Sequence, residues 1–241
     1  MPACEPHKTT VLYLLAGGGF ALTLTFLPIL DYVGWFFASL CHETGHCIAA
    51  WLAGCPAVPA IRLDGHAAAT HLAQSKALCV VIWAGIGALA WHFRDRRRGV
   101  WVFGMIALLY PVFAFTSLRE LIFLLAGQTG ELAFAGVFFW RGLVGGFTQS
   151  KAERALYLGC AWYLLASNVA LNAGLAFDAA ARNGYRENGS FGLTNDFIRA
   201  ARHLGVSLEA VGFWMLVVSL TVFPLSWWLS RPRRRGVTVT H

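Results

Sequence analysis

The stretch "LCHETGHCIAAWLAGC", Leu40–Cys55, sets two histidines, a glutamate and a threonine inside an otherwise apolar run. Hydrocarbon penalises such groups unless something partners them. Read as a helix, the run puts His42 and His46 four residues apart and therefore on one face. Its apolar surroundings extend over Tyr32–Ala53, long enough to cross a bilayer, which takes about twenty residues. The reading that decides the fold is thus a polar cluster held within a membrane span.

The rest of the chain agrees with a membrane setting. Of 241 residues 57% are hydrophobic and only 13% are charged, about half the charge of a soluble domain. The 10 tryptophans and 18 phenylalanines suit membrane interfaces. Candidate spans are Val11–Leu30, Tyr32–Ala53, Ala77–Phe93, Val100–Leu118, Leu121–Val144, Ala155–Phe177 and Leu208–Leu229. The first two are nearly continuous, so a turn is expected around Pro28–Asp31, and the fifth is expected to break at "AGQTG", Ala126–Gly130. The first span reads as an uncleaved helix: Lys8 is basic, but the apolar run is long and no small-x-small cleavage site precedes Asp31. No internal repeat or low-complexity tract stands out. The expected fold is all-α and polytopic, with about seven transmembrane helices forming one membrane-embedded domain over residues 1–241.

The net charge of +7 comes largely from "RDRRRG", Arg94–Gly99, and "RPRRRG", Arg231–Gly236. Each follows a hydrophobic segment directly, which is the pattern of positive-inside anchoring. The expected partners are membrane lipid headgroups and not nucleic acid. With both clusters in the cytoplasm, Lys151 and Arg154 fall on the same side, the carboxy terminus lies inside and the amino terminus outside. His42 then lies about ten residues into its span, about 15 Å deep and near the bilayer centre.

Pro56–Ser75 and Asp178–Gly205 become outer connections. The first, "PAVPAIRLDGHAAATHLAQS", carries two prolines and an "LDG" turn signal and reads as a short hairpin or strand after the second span. The second contains the loop-like "RNGYRENGSFG", followed by "TNDFIRAARHLG", a short helix with Thr194 or Asn195 as its cap. Arg119 and Glu120 read as an interfacial pair between two apolar runs. Six cysteines contain no C-x-x-C pair and mostly lie in apolar segments, where cysteine packs as a small hydrophobe, so no disulfide framework is expected.

"HETGH" is an H-E-x-x-H pattern. On a helix, both imidazoles reach one metal ion, and the adjacent Glu43 holds a water beside it. Zinc suits two imidazoles and a third protein ligand, with one position left for solvent. Bound zinc brings the pKa of water towards neutrality. Glu43 then takes the proton as the water attacks a carbonyl, and passes it to the leaving amine. For the third ligand the residues leave Asp196, Asp178, Glu131, His66 and His71 open, since zinc accepts carboxylate and imidazole alike.

"HETGHCIAAWLAG" followed by the strand-like "AIRLDGHAAATH" resembles the site-2 protease class of intramembrane zinc metallopeptidases. Members carry a later aspartate in an Asn-Pro-rich, Leu-Asp-Gly setting that leads into a helix. In "ENGSFGLTNDFIRAARHLG", Asn188 precedes Asp196 at a similar spacing and a helix follows, with the prolines missing and Phe197 in place of the glycine. In "NAGLAFDAA", Asn172 precedes Asp178 at a shorter spacing, with Ala179 in place of the glycine. The resemblance covers Tyr32–His71 and, more loosely, Asn188–Gly205. It implies Zn2+ held by His42, His46 and Asp196, with Glu43 catalytic, acting on a transmembrane or membrane-proximal peptide. Such a substrate must unwind locally, because a spanning helix keeps its carbonyls hydrogen-bonded. Two rival readings are a membrane zinc hydrolase of prenylated peptides or lipid amides, and a non-catalytic metal-binding transporter or scaffold.

Overall fold

A computed structural model describes residues 7–63, 67–145, 148, 150–187 and 195–231. Along the chain these form α1 (His7–Phe26), α2 (Pro28–Leu52), β1 (Ala57–Ile61), β2 (Ala67–His71), α3 (Lys76–His92), α4 (Arg97–Phe115) and α5 (Leu118–Val144). Then come α6 (Lys151–Phe177), α7 (Ala179–Glu187), α8 (Asp196–Leu204) and α9 (Leu208–Ser230). Each of the seven apolar segments is helical. Among the described residues five helices, α1, α4, α5, α6 and α9, are long and apolar enough to cross a membrane. The expected seven spans are not all of that kind. The α3 helix has only 17 residues, and the histidines, Glu43 and Asp31 dilute the hydropathy of α2. Large apolar side chains such as Leu15, Val81, Trp101, Leu108 and Trp214 remain exposed, as lipid-facing surfaces require.

Two further expectations change. The "AGQTG" stretch does not break its span: α5 runs unbroken through it. The loop-like "RNGYRE" instead forms the second half of α7, whose start is capped by Asp178, its Oδ1 accepting from the Ala180 N–H at 2.8 Å. The turn between the first two helices falls at Leu27, with Pro28 opening α2, where a missing N–H costs nothing.

The chain divides into two compact units, and α2, α5, α6 and α9 each pass through both. In the unit made of residues 1–34, 132–171 and 215–241, Phe139 is fully buried, edge-on to Trp162 (4.9 Å) and Phe223 (5.1 Å). The Arg154 guanidinium is buried there. It donates to the Gly142 and Leu143 carbonyls at 2.6 and 3.1 Å, closing the end of α5, and lies over the Tyr13 ring.

The other unit holds residues 35–131 and 172–214. Gly54, at φ +77°, ends α2 in a left-handed turn that a side chain would strain. The chain then enters the expected hairpin, β1 and β2 pairing antiparallel from Ala57↔His71 to Ile61↔Ala67. The Trp51 indole donates to the Ala57 carbonyl at 2.8 Å and pins the hairpin to α2. The Gln74 amide donates to the carbonyls of Ala53 and Ala114, both at 2.8 Å, tying the ends of α2 and α4 together.

In this unit α2 crosses α5 at very short range. A Cβ on Gly45 would strike the Ala126 carbonyl and come within 2.9 Å of the Gly130 Cα. A Cβ on Gly130 would stand 2.6 Å from the Gly45 Cα. Small residues at helix crossings in membranes allow this approach. The Gly45→Ala variant should lose about 1–3 kcal/mol of stability through overpacking. Gly18→Ala, where a Cβ meets nothing within 4 Å, should leave stability unchanged or slightly raised. Unfolding in mixed micelles followed by far-ultraviolet circular dichroism measures both.

Candidate metal centre

The α2–α5 crossing delivers the two imidazoles of α2 to one face of α5. Residues 123, 127, 130 and 131 recur along that face at helical spacing. The His46 Nδ1 bonds to the Phe123 carbonyl oxygen at 2.7 Å, and the His42 Nδ1 bonds to Glu131 Oε1 at 2.7 Å. Both partners are acceptors, so each Nδ1 carries its hydrogen and each Nε2 presents a lone pair. Those two Nε2 atoms lie 3.1 Å apart. Asp196, at the first turn of α8, brings Oδ2 to 3.1 Å from the His46 Nε2 and 3.8 Å from the His42 Nε2.

Three electron-pair donors converging this closely repel one another unless a cation lies among them. Ligand atoms of His42, His46 and Asp196 all fall within 4.8 Å of one another, a group able to hold a metal ion. Tetrahedral zinc with bonds of about 2.0–2.1 Å separates its donors by about 3.3 Å, and the separations here, 3.1, 3.1 and 3.8 Å, bracket that value. The space for an ion is also kept free. Gly127 faces the centre, and a Cβ there would fall against the Nε2 atoms of both His42 and His46. The residues present therefore fit a metal, through their donor chemistry and through the gap that Gly127 leaves.

Glu43 follows His42 on α2 and is buried. Its carboxylate interacts with His42, His46 and Asp196 and accepts a backbone hydrogen bond from Ala69 on β2. The hairpin thus lies against the acid. The side chains of His42, His46 and Asp196 are 22%, 15% and 29% exposed, so the three are half-buried. Among the described residues, α8 is fixed by burial of Phe197, Ala200 and Ala201 and by Gly205 at its carboxy end.

The remaining candidates are placed elsewhere or differently. Asp178 caps α7. Glu131 bonds to the His42 Nδ1 through Oε1, and the converging group is His42, His46 and Asp196. His71 stands at the exposed end of β2, its ring 5.8 Å from Phe123. His66 lies outside the described residues. The Phe123 carbonyl carries no side-chain signal in the sequence, whereas Gly127 falls in the glycine stretch Gly127–Gly130, read as cleft-forming or as close helix packing, and its particular place against the two imidazoles is set by the helix crossing.

Gly127→Ala should lower bound metal from stoichiometric to near zero in protein purified and assayed by elemental analysis, whereas Asp178→Ala and His71→Ala should keep their metal.

No family model, no curated protein and no solved structure matches the chain, so its site is read from its own geometry.

Proposed function

We propose that the chain is an integral membrane zinc metallopeptidase of the site-2 protease type, cleaving a peptide bond in or near the bilayer. The observation that carries this reading is the convergence of the His42 and His46 Nε2 lone pairs and the Asp196 carboxylate, with Glu43 beside them. Zinc bound there supplies Lewis acidity, which polarises a carbonyl and brings the pKa of water towards neutrality. Glu131 and the Phe123 carbonyl hold the two imidazoles in the ligating tautomer. Glu43 takes the proton of the attacking water and returns it to the departing amine. Zinc is favoured over magnesium or calcium because the donor set is two nitrogens and one oxygen, and those cations take all-oxygen sites.

The membrane helices argue for a substrate that is itself in or at the bilayer. Arg94 and Arg96 between α3 and α4, with Arg97 and Arg98 opening α4, put that helix connection on the cytoplasmic side in this reading, and the arginine cluster that begins at Arg231 puts the carboxy-terminal side there too.

Glu43→Gln should retain zinc and lose at least about a thousandfold in turnover, the scale expected when a general base is removed. Reconstituted protein should be offered transmembrane peptides, prenylated peptides and lipid amides side by side. Cleavage of transmembrane peptides supports the proposal. Turnover of lipid amides or prenylated peptides alone would move the assignment to a lipid-directed hydrolase, and full biological activity in Glu43→Gln would remove the enzyme reading altogether.

A further inference from the structure

Asp196 is the one ligand that does not come from α2, and α8 must hold it in place from a short helix of nine residues. The end of α7 and the start of α8 show how. Helix ends leave orphan groups: carbonyls in the last turn and N–H groups in the first. Tyr185 lies in the last turn of α7. Asn195 occupies the N-cap position of α8, yet its side chain makes no cap bond to its own helix. Its Nδ2 donates to the Tyr185 carbonyl by a short hydrogen bond. The Tyr185 hydroxyl in turn bonds to the Phe197 backbone, one of the N–H groups an N-cap side chain normally serves. The two helix ends have exchanged caps. The Tyr185 and Phe197 rings lie 6.3 Å apart, and Phe197 is fully buried. Burial holds the Tyr185 phenol above its usual range, so it acts as a neutral hydroxyl.

An asparagine at an N-cap ordinarily serves the N–H groups of its own helix. Here that use is forgone, and one tyrosine grips the residues on both sides of the ligand, 195 and 197. The alternative tether is Arg199, whose guanidinium is 3.9 Å from Asp196 Oδ1 and 58% exposed. An exposed contact at that distance is weak and screened. We propose that Tyr185 and Asn195 form a clasp that sets the Asp196 carboxylate against the imidazoles of α2, so that Tyr185 is a positioning residue of the metal centre. This inference rests on reading His42, His46 and Asp196 as that centre.

The test uses the full chain in detergent, with zinc affinity measured against a chromophoric chelator and the visible absorption of the cobalt form as a report on ligand geometry. Tyr185→Phe keeps the ring and removes the hydroxyl. Asn195→Asp keeps the size and removes the Nδ2 donor. Each should weaken zinc about tenfold or more, within the range for groups that orient ligands, and should shift the cobalt absorption at saturating metal. The double variant should be little worse than the poorer single one, because both bonds belong to one clasp. Arg199→Gln should leave both readings unchanged. If wild-type protein takes up neither metal, the metal-centre reading fails. If wild type binds while both single variants stay within about twofold with an unshifted spectrum, the clasp alone is overturned. It is overturned equally if Arg199→Gln produces the larger effect. Should Tyr185→Phe not fold, Asn195→Asp decides by the same two readings.

Discussion

Everything at the centre depends on how closely α2 can approach α5. Gly45 and Gly130 bring the two backbones together, and Gly127 on the same face leaves room between the imidazoles. A wider crossing would carry His42 and His46 away from Glu131 and the Phe123 carbonyl. The rings would then be free to turn. The acceptors on α5 are useful only because the helices touch, so packing and ligand orientation are one constraint. In a membrane, where apolar contact between helices gains little over lipid, such small-residue packing carries much of the association.

The same crossing solves an electrostatic difficulty. Glu43 and Glu131 are both buried, and each would be costly without partners. Glu131 has the His42 Nδ1–H, and Glu43 has the Ala69 backbone. The remaining imbalance, three electron-pair donors facing one gap, is the one that a divalent cation relieves. The polar cluster is thus satisfied at its outer edge by protein, and its middle is a group able to hold a metal ion. The hairpin contributes a backbone group, so its role at Glu43 does not depend on which side chains it bears.

How much of this could be read from the sequence follows the range of each signal. The H-E-x-x-H spacing is local, and one turn of α2 is enough to put both rings on a face. The hairpin declared itself through prolines and an "LDG" turn. Asp196 was reached through a resemblance and a helix start, and its 3.1 Å approach to His46 spans 150 positions of chain that no local pattern encodes. Glu131 was visible as an intramembrane carboxylate, but its part as the Nδ1 partner of His42 is set by the helix crossing alone. The break expected at "AGQTG" fails because glycine in an apolar helix can mean a close neighbour as readily as a bend. The α7 helix was missed because Asn183 and Gly184 are turn residues by composition, while the Asp178 cap and the Arg182 bonds to the Leu175 carbonyl and Glu209 hold the segment helical. The span count suffered from the motif itself, since the residues that mark α2 also lower its hydropathy.

The separation of the ligands along the chain has a consequence for biogenesis. His42 and His46 leave the ribosome long before Asp196, which emerges only after α3, α4, α5, α6 and α7. Until then the insertion machinery handles a chain with two of the three candidate ligands and no closed site. Convergence of the three donor groups therefore belongs to a late stage of assembly, after α8 has docked against α2.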